Sequence, residues 1–543
     1  MNPTNIHLFD MTIRIVSGSA PTSGDIYFTN LVTSRHFDIN PYEIYSYSLE
    51  DIEKYAVYNT ISEDITNFSI HITTTNPVSV FASKSFQQHI DVTNVLPVTA
   101  LGMEYYGISY NLTHVTVDDL DAYAVVAIED NTKIYQNEIL EVTLDAGDVY
   151  YKAYHSITGD HITSNNPVAF FAQNKMTVIH NFGALAVLSQ QLAPVHTWGR
   201  RFFVPVTVSP DYVRVVVSQD NTNITQSGGV LITDTGGEPT LSNLQAGQFV
   251  ELEISLSNNG CFIFADKPVG VCSFMKSYGL DNPLRQCSQA WIPAIEQSVS
   301  NVLMTPFVNP YFQNHYALIC TPTTTSPNTM VSIGDSPPVP LYGGSWHTHT
   351  TGGESMSFYD FPFIDFSASY TFSNLSGIIV YGYGLYHTVV NASSYYYLAG
   401  SGMRNLSAAF LANDVPYTEM ADTLFCVNEI IFTTNISNIA EVDSMKWYKQ
   451  KTSGNTPDLD YILITDIVED PPVTWTRTFR AGNYMIKLEV YHNGDPEPLV
   501  YEGELCVGAH ITIYPTPNDG GMTKPTTGCY KVGTQLPMEA YPY

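Results

Sequence analysis

The chain has 543 residues, 44% of them hydrophobic, so large cores can form and global disorder is excluded. It carries 22 basic against 52 acidic residues, a formal charge of −30, with no concentrated basic patch, which excludes a nucleic-acid partner. No run of about 18 apolar residues exists, so nothing reads as a membrane-spanning helix.

Met1-Asn2-Pro3-Thr4 leads directly into strand-like sequence, so no export signal is expected in this chain. The 37 tyrosines and 26 phenylalanines, with recurring Thr, Val, Asn and Ser, are the vocabulary of strands and polar turns. No segment holds a 3.6-residue period over a dozen or so positions, so helix should be scarce.

The first repeated phrase is Ile72-Thr-Thr-Thr-Asn-Pro-Val-Ser-Val-Phe-Ala-Ser83. It returns as Ile162-Thr-Ser-Asn-Asn-Pro-Val-Ala-Phe-Phe-Ala-Gln173 and as Ile263-Phe-Ala-Asp-Lys-Pro-Val-Gly-Val-Cys-Ser-Phe274. Pro77, Pro167 and Pro268 thus mark a period of roughly 100 residues. A degenerate fourth copy, Phe372-Ser-Asn-Leu-Ser-Gly-Ile-Ile-Val-Tyr381, lacks the proline. Asp130-Asn-Thr132 recurs as Asp220-Asn-Thr222, and Leu144-Asp-Ala-Gly147 as Leu244-Gln-Ala-Gly247. Pro97, Pro194 and Pro293 keep the same beat. Residues 1–400 therefore read as about four tandem antiparallel β units of ~100 residues, either sandwich-like or arranged like propeller blades.

After about residue 400 the text changes. Phe425-Cys-Val-Asn-Glu-Ile-Ile-Phe432 opens a new strand set, and Met445-Lys-Trp-Tyr448 reads as a core strand with a buried tryptophan. Ala481-Gly-Asn-Tyr-Met-Ile-Lys-Leu-Glu-Val-Tyr491 is a turn followed by an alternating strand. Residues 405–514 resemble an immunoglobulin-like β-sandwich of the PKD type. Residues 515–543, rich in Pro, Gly and Thr, read as an extended tail.

Seven cysteines stand at 261, 272, 287, 320, 426, 506 and 529, without a CxxC pair. Cys261 and Cys272 flank Asp266-Lys267, which reads as a two-residue hairpin turn. That register sets the two cysteines opposite each other within disulfide range. Pro268 weakens the turn, and Cys272–Cys287 is the rival pairing.

Candidate chemistry is sparse. His347 and His349, two residues apart, would share a strand face and could chelate a metal, but no third ligand is near, so an exposed polar loop is the favoured reading. Asp118, Asp119 and Asp121 lack the spacing of a calcium loop. Gly400-Ser401-Gly402 does not have nucleophile-elbow spacing. Tyr395, Tyr396 and Tyr397, with Trp346, are the aromatic candidates for stacking on a sugar or anchoring a protein, against the alternative of a strand packed on both faces. No cofactor is implied, and no catalytic constellation emerges.

The Asn-Pro-Val phrase, the run Leu192-Ala-Pro-Val-His-Thr-Trp-Gly199 and Ser401-Gly-Met-Arg-Asn-Leu-Ser-Ala-Ala-Phe410 resemble the N-terminal domain family of IgGFc-binding proteins, over roughly residues 25–400. Members occur in mucus-associated animal proteins and in surface proteins of gut Bacteroidetes. The resemblance implies an extracellular or cell-surface binding and adhesion protein whose partners are host or mucosal glycoproteins or glycans. It carries over no binding residue. A carbohydrate-active enzyme on a propeller and a scaffold of an extracellular assembly are the alternatives.

Overall fold

In the computed structural model three strands run well beyond the usual 3–10 residues: His161–Thr177, Cys261–Met275 and Tyr370–His387. The structure describes residues 9–59, 61–86, 89–111, 121–179, 186–207, 210–233, 236–276, 286–307, 314–387, 392–402, 410–413, 415–417, 420–434, 442–453, 457–458, 460–467, 474–492, 498–511, 513, 521–524, 528–532, 534–536 and 539–542. Two compact units divide the chain, Met1–Met403 and Arg404–Tyr543.

The repeated phrase sits at the middle of each long strand. Val168 pairs with Gly102, Val269 with Gly199 and Ile378 with Val299, and in all three ladders the register shifts just before that pair. The shift is a bulge in the long strand. Pro167 and Pro268 fall inside it, where no ladder amide is needed. In the fourth repeat Gly377 takes the place of the proline with φ 96°. The bulge lets one strand serve two layers. In the second repeat its first half pairs with Thr132–Gln136 and Gly102–Tyr106, and its second half with Asp121–Ala127 and Ala186–Gln191. The third and fourth repeats share this plan. In the first repeat the strand is broken into Ile70–Thr74 and Val78–Phe86, which belong to separate sheets. Ile13, Ile15, Ile26, Phe28 and Phe37 fill the space between those sheets.

The smaller landmarks are turn chemistry. Asp130 Oδ1 accepts from the Ala146 amide at 3.0 Å, and Asp220 Oδ1 accepts from the Ala246 amide at 3.0 Å. Asn131 and Asn221 take φ of 56° and 57°, a left-handed backbone that asparagine tolerates. The prolines precede one-turn 3₁₀ helices at Val98–Ala100, Val195–Thr197 and Ile295–Gln297. Among the described residues the α-helix is one short segment, Asp51–Tyr55, held by a Glu50/Glu53 capping box.

The strand that follows each long strand lies innermost. His89–Asn94 packs on Ala186–Gln191 and on Ala392–Gly400, and Ser288–Ile292 packs on the same two. These four inner strands close a cycle, so the repeats are two-layered units joined in a ring. Residues far apart in sequence make the closure. Arg14 donates to Thr305 Oγ1 at 3.1 Å and to the Pro306 carbonyl, and the Phe81 ring meets Tyr397 at 5.3 Å. Within the third repeat, Arg214 and Glu251 are opposed on adjacent strands as a buried pair at 2.9 Å, and Arg214 reaches the second repeat at the Ser109 carbonyl.

The second unit is a two-layer sandwich. One sheet orders the strands at Val415–Pro416, Phe410–Ala412, Glu429–Thr434 and Thr474–Thr478; the other orders Leu424–Phe425, Leu499–Val507, Gly482–His492, Val442–Lys451 and Ile462–Ile467. Trp447 is fully buried between them against Phe410, Phe432 and Trp475. Tyr484 donates to the Arg480 carbonyl at 2.8 Å, the tyrosine corner of immunoglobulin-like sandwiches.

Two sequence expectations are corrected here. Asp266 and Lys267 form no hairpin turn; they lie within the long strand Cys261–Met275. Cys261 and Cys272 are therefore separated by roughly 36 Å of strand at ~3.3 Å per residue. Neither thiol is in a disulfide and both are buried, as Cys287 is, and burial pushes Cys261 and Cys272 up to about 12. The disulfide that forms is Cys426–Cys529. It ties down the segment read as an extended tail, where Ala509–Ile511 also pairs with Gly528–Tyr530 and Gly521–Lys524 with Glu539–Pro542.

Candidate functional site

Tyr395, Tyr396 and Tyr397 lie on the innermost strand of the fourth repeat, at most 1% exposed. Tyr395 OH meets His315 Nδ1 at 2.6 Å, and Tyr397 donates to the Thr305 carbonyl at 3.3 Å. A strand covered on both faces buries consecutive side chains, so these tyrosines build the ring and offer no stacking surface. Trp346 stands on the edge strand Trp346–Thr351, half-buried against Tyr359.

The loop expected at His347 and His349 is that same strand. His347 faces Asp360 at 3.4 Å and stacks on Phe358. Burial raises the Asp360 carboxyl, against the opposing pull of His347. His349 Nδ1 lies 2.6 Å from the Asn258 carbonyl, to which it can only donate, and Nε2 lies 3.0 Å from Ser227 Oγ. The two rings are thus held by different partners, and no group of three metal-binding side chains occurs among the described residues. Asp118 and Asp119 lie outside the described residues. Asp121 is buried and accepts from the Ile157 amide at 2.9 Å, and burial pushes its carboxyl up to about 6. Of Ser401–Phe410, residues 403–409 also lie outside. Arg201 bridges Glu296 at 3.5 Å and Glu354 at 2.9 Å, which makes these two carboxylates an ion-pair clamp.

Sequence reasoning missed a cavity of about 640 Å³ between the first and second repeats. Phe9, Met11, Ile13, Val80, Ala82 and Phe86 supply one wall, and Ala124, Val126, Val149 and Phe171 the other. Lys84, Asp91, Gln173, Lys175 and Gln286 are among its polar residues. Lys84 and Asp91 are directly opposed across the ladder of Val78–Phe86 and His89–Asn94. The Lys84 ammonium lies 4.3 Å from the Tyr58 ring centroid and 5.0 Å from that of Phe9. Burial lowers its pKa to about 8. Asp91 Oδ1 accepts from the Val92 amide at 2.9 Å, while Oδ2 is buried without a partner. Burial raises the Asp91 carboxyl well above its ordinary value, against hydrogen bonds from the Val92 and Ser189 backbone and the pull of Lys84. A signal was present in the sequence: Val78, Val80, Ala82, Lys84 and Phe86 alternate onto one strand face, and a lysine interrupts that apolar row.

No curated protein matches the chain. Among solved structures, the N-terminal four Ig domains of Dscam1 isoform 4.44 align at 8% identity, over 69% of this chain and 91% of that one, with a TM-score of 0.14. The N-terminal eight Ig domains of Down Syndrome Cell Adhesion Molecule isoform 1.30.30 align at 8% identity, over 96% and 71%, with a TM-score of 0.11. Scores this low carry no argument about fold. The family model described as IgGFc binding protein matches residues 91–384, which is the second and third repeats and most of the fourth. Over half the chain lies within that match, and the protein belongs to the IgGFc binding protein family.

Proposed function

We propose that the chain is an extracellular binding and adhesion protein that recognises a host or mucosal glycoprotein, through its protein or its glycan part, without turning it over. Membership of the IgGFc binding protein family carries this reading. The Cys426–Cys529 disulfide supports an oxidising, extracytoplasmic location. With the tyrosine run buried, Trp346 is the proposed aromatic anchor. It keeps accessible surface on an edge strand, and large aromatics dominate binding energy at interfaces.

The test is biolayer interferometry of the whole chain against immobilised immunoglobulin Fc, intestinal mucin and deglycosylated mucin, with a glycan array alongside. Saturable binding to one of these, weakened about tenfold or more by Trp346→Ala, is the expected result. Loss of binding on deglycosylation assigns the glycan as ligand. Absence of saturable binding on every surface refutes the proposal. Unchanged affinity of W346A removes Trp346 from it.

A further inference from the structure

The cavity between the first two repeats has a composition that selects a ligand. Its walls are aliphatic and aromatic, and its volume of about 640 Å³ lies within the ~300–1,000 Å³ range of small-molecule sites. Lys84 faces it and makes no ion pair among the described residues, although it belongs to a chain with more than twice as many acids as bases. The directly opposed Asp91 forms no ion pair with it, and Asp91 Oδ1 is taken by the Val92 amide. The cavity therefore offers one charged group without a counter-ion among the described residues, the Lys84 ammonium.

We infer that this cavity binds a long-chain monocarboxylate, its acyl chain between the first two repeats and its head group on Lys84 Nζ. A neutral apolar guest would leave the Lys84 charge desolvated and unpaired, which is costly. A cation would be repelled by it. The carboxylate supplies the missing anion, while the chain covers Met11, Val80, Ala82 and Val126. The site is independent of the proposed glycoprotein contact at Trp346.

The probe is cis-parinaric acid, whose fluorescence rises in an apolar site, titrated into the whole protein and then displaced by palmitic acid or by hexadecanol. Saturable fluorescence is expected, with palmitate displacing at least tenfold better than the alcohol. Lys84→Met should equalise the two. If that variant does not fold, the wild-type pH profile decides. Lys84 has Tyr58 beside it, Asp91 across the ladder and Lys175 on the facing repeat, and burial lowers the Lys84 pKa to about 8. Palmitate affinity should therefore fall as pH rises through about 8, while hexadecanol affinity stays level. No saturable fluorescence, equal displacement by acid and alcohol, an unaltered preference in K84M or a flat palmitate profile would each overturn the inference.

Discussion

Replacing Arg214 by methionine tests what holds the second and third repeats together. Arg214 is 3% exposed and Glu251 0%, with their charged atoms 2.9 Å apart. Arg214 also donates to the Ser109 carbonyl at 2.8 Å, on the neighbouring repeat, and its guanidinium lies 4.0 Å over the Tyr110 ring. The variant keeps the aliphatic stem but strands the Glu251 charge, and breaking one side of a buried pair costs about 3–5 kcal/mol. If the whole N-terminal unit melts together, an unfolding entropy of ~2.1 cal/mol/K per residue over about 400 residues turns this into a drop of roughly 4–6 °C. R214M/E251Q removes the stranded charge, and the Ser109 carbonyl keeps its bond from Thr158 Oγ1 at 2.9 Å, so losing the Arg214 hydrogen bonds should cost only about 1–3 kcal/mol. Tyr110, which donates to Glu251 Oε1 at 3.0 Å, can still donate to the glutamine. Differential scanning calorimetry of the three proteins reads these values. A change below about 1 °C in R214M, or a double variant that falls as far as the single one, refutes the reasoning.

Gly270→Ala places a Cβ 2.5 Å from Trp198 Cζ2 in a closed core and should cost roughly 1–3 kcal/mol. Gly18→Ala, with nothing within 4 Å, should melt like wild type in the same thermal scan. Peptide mapping without reductant should recover the Cys426–Cys529 link, and denaturation should expose the thiols of Cys261, Cys272, Cys287, Cys320 and Cys506. Cys426→Ser opens a loop with a sequence separation of 103 and should lower the stability of the C-terminal unit by roughly 2–5 kcal/mol, measured by urea unfolding. His161 sits 3.0 Å from both Glu104 and Glu138, and the Glu104 hydrogen bond, then Glu138, raises its pKa above 6.5. A raised folded-state pKa gives stability that is complete below the unfolded value and lost as pH rises through the folded one. His161→Gln should therefore cost more in melting temperature at about pH 5.5 than at about pH 8.5, and equal losses would contradict this.

Signals that depend only on local chain chemistry could be read directly from the sequence. The Asn-Pro-Val phrase announces a repeat with a period near 100 residues because the same local chain chemistry returns at Pro77, Pro167 and Pro268. The Asp130 and Asp220 turns are legible for a similar reason: an aspartate bonds a backbone amide in its own repeat. Trp447 was marked as core by its apolar neighbours, and it is core.

What depends on a partner strand was not legible. Asp266-Lys267-Pro268 has the composition of a turn, and the ladders on either side hold it inside a long strand instead. Tyr395, Tyr396 and Tyr397 could have faced solvent on alternate positions, but two neighbouring inner strands cover them, and those strands lie more than 100 residues away in the chain. Ring closure needs Arg14 to meet Thr305, and the cavity needs Lys84 opposite a wall from Ala124 to Phe171. Sequence alone determined an all-β chain with a period near 100 residues, because β propensity and turn chemistry act over a few residues. Only the tertiary structure decided which tyrosines are buried, which cysteines join and where Lys84 is left without an anion, because burial and charge pairing are set by whatever the fold brings alongside.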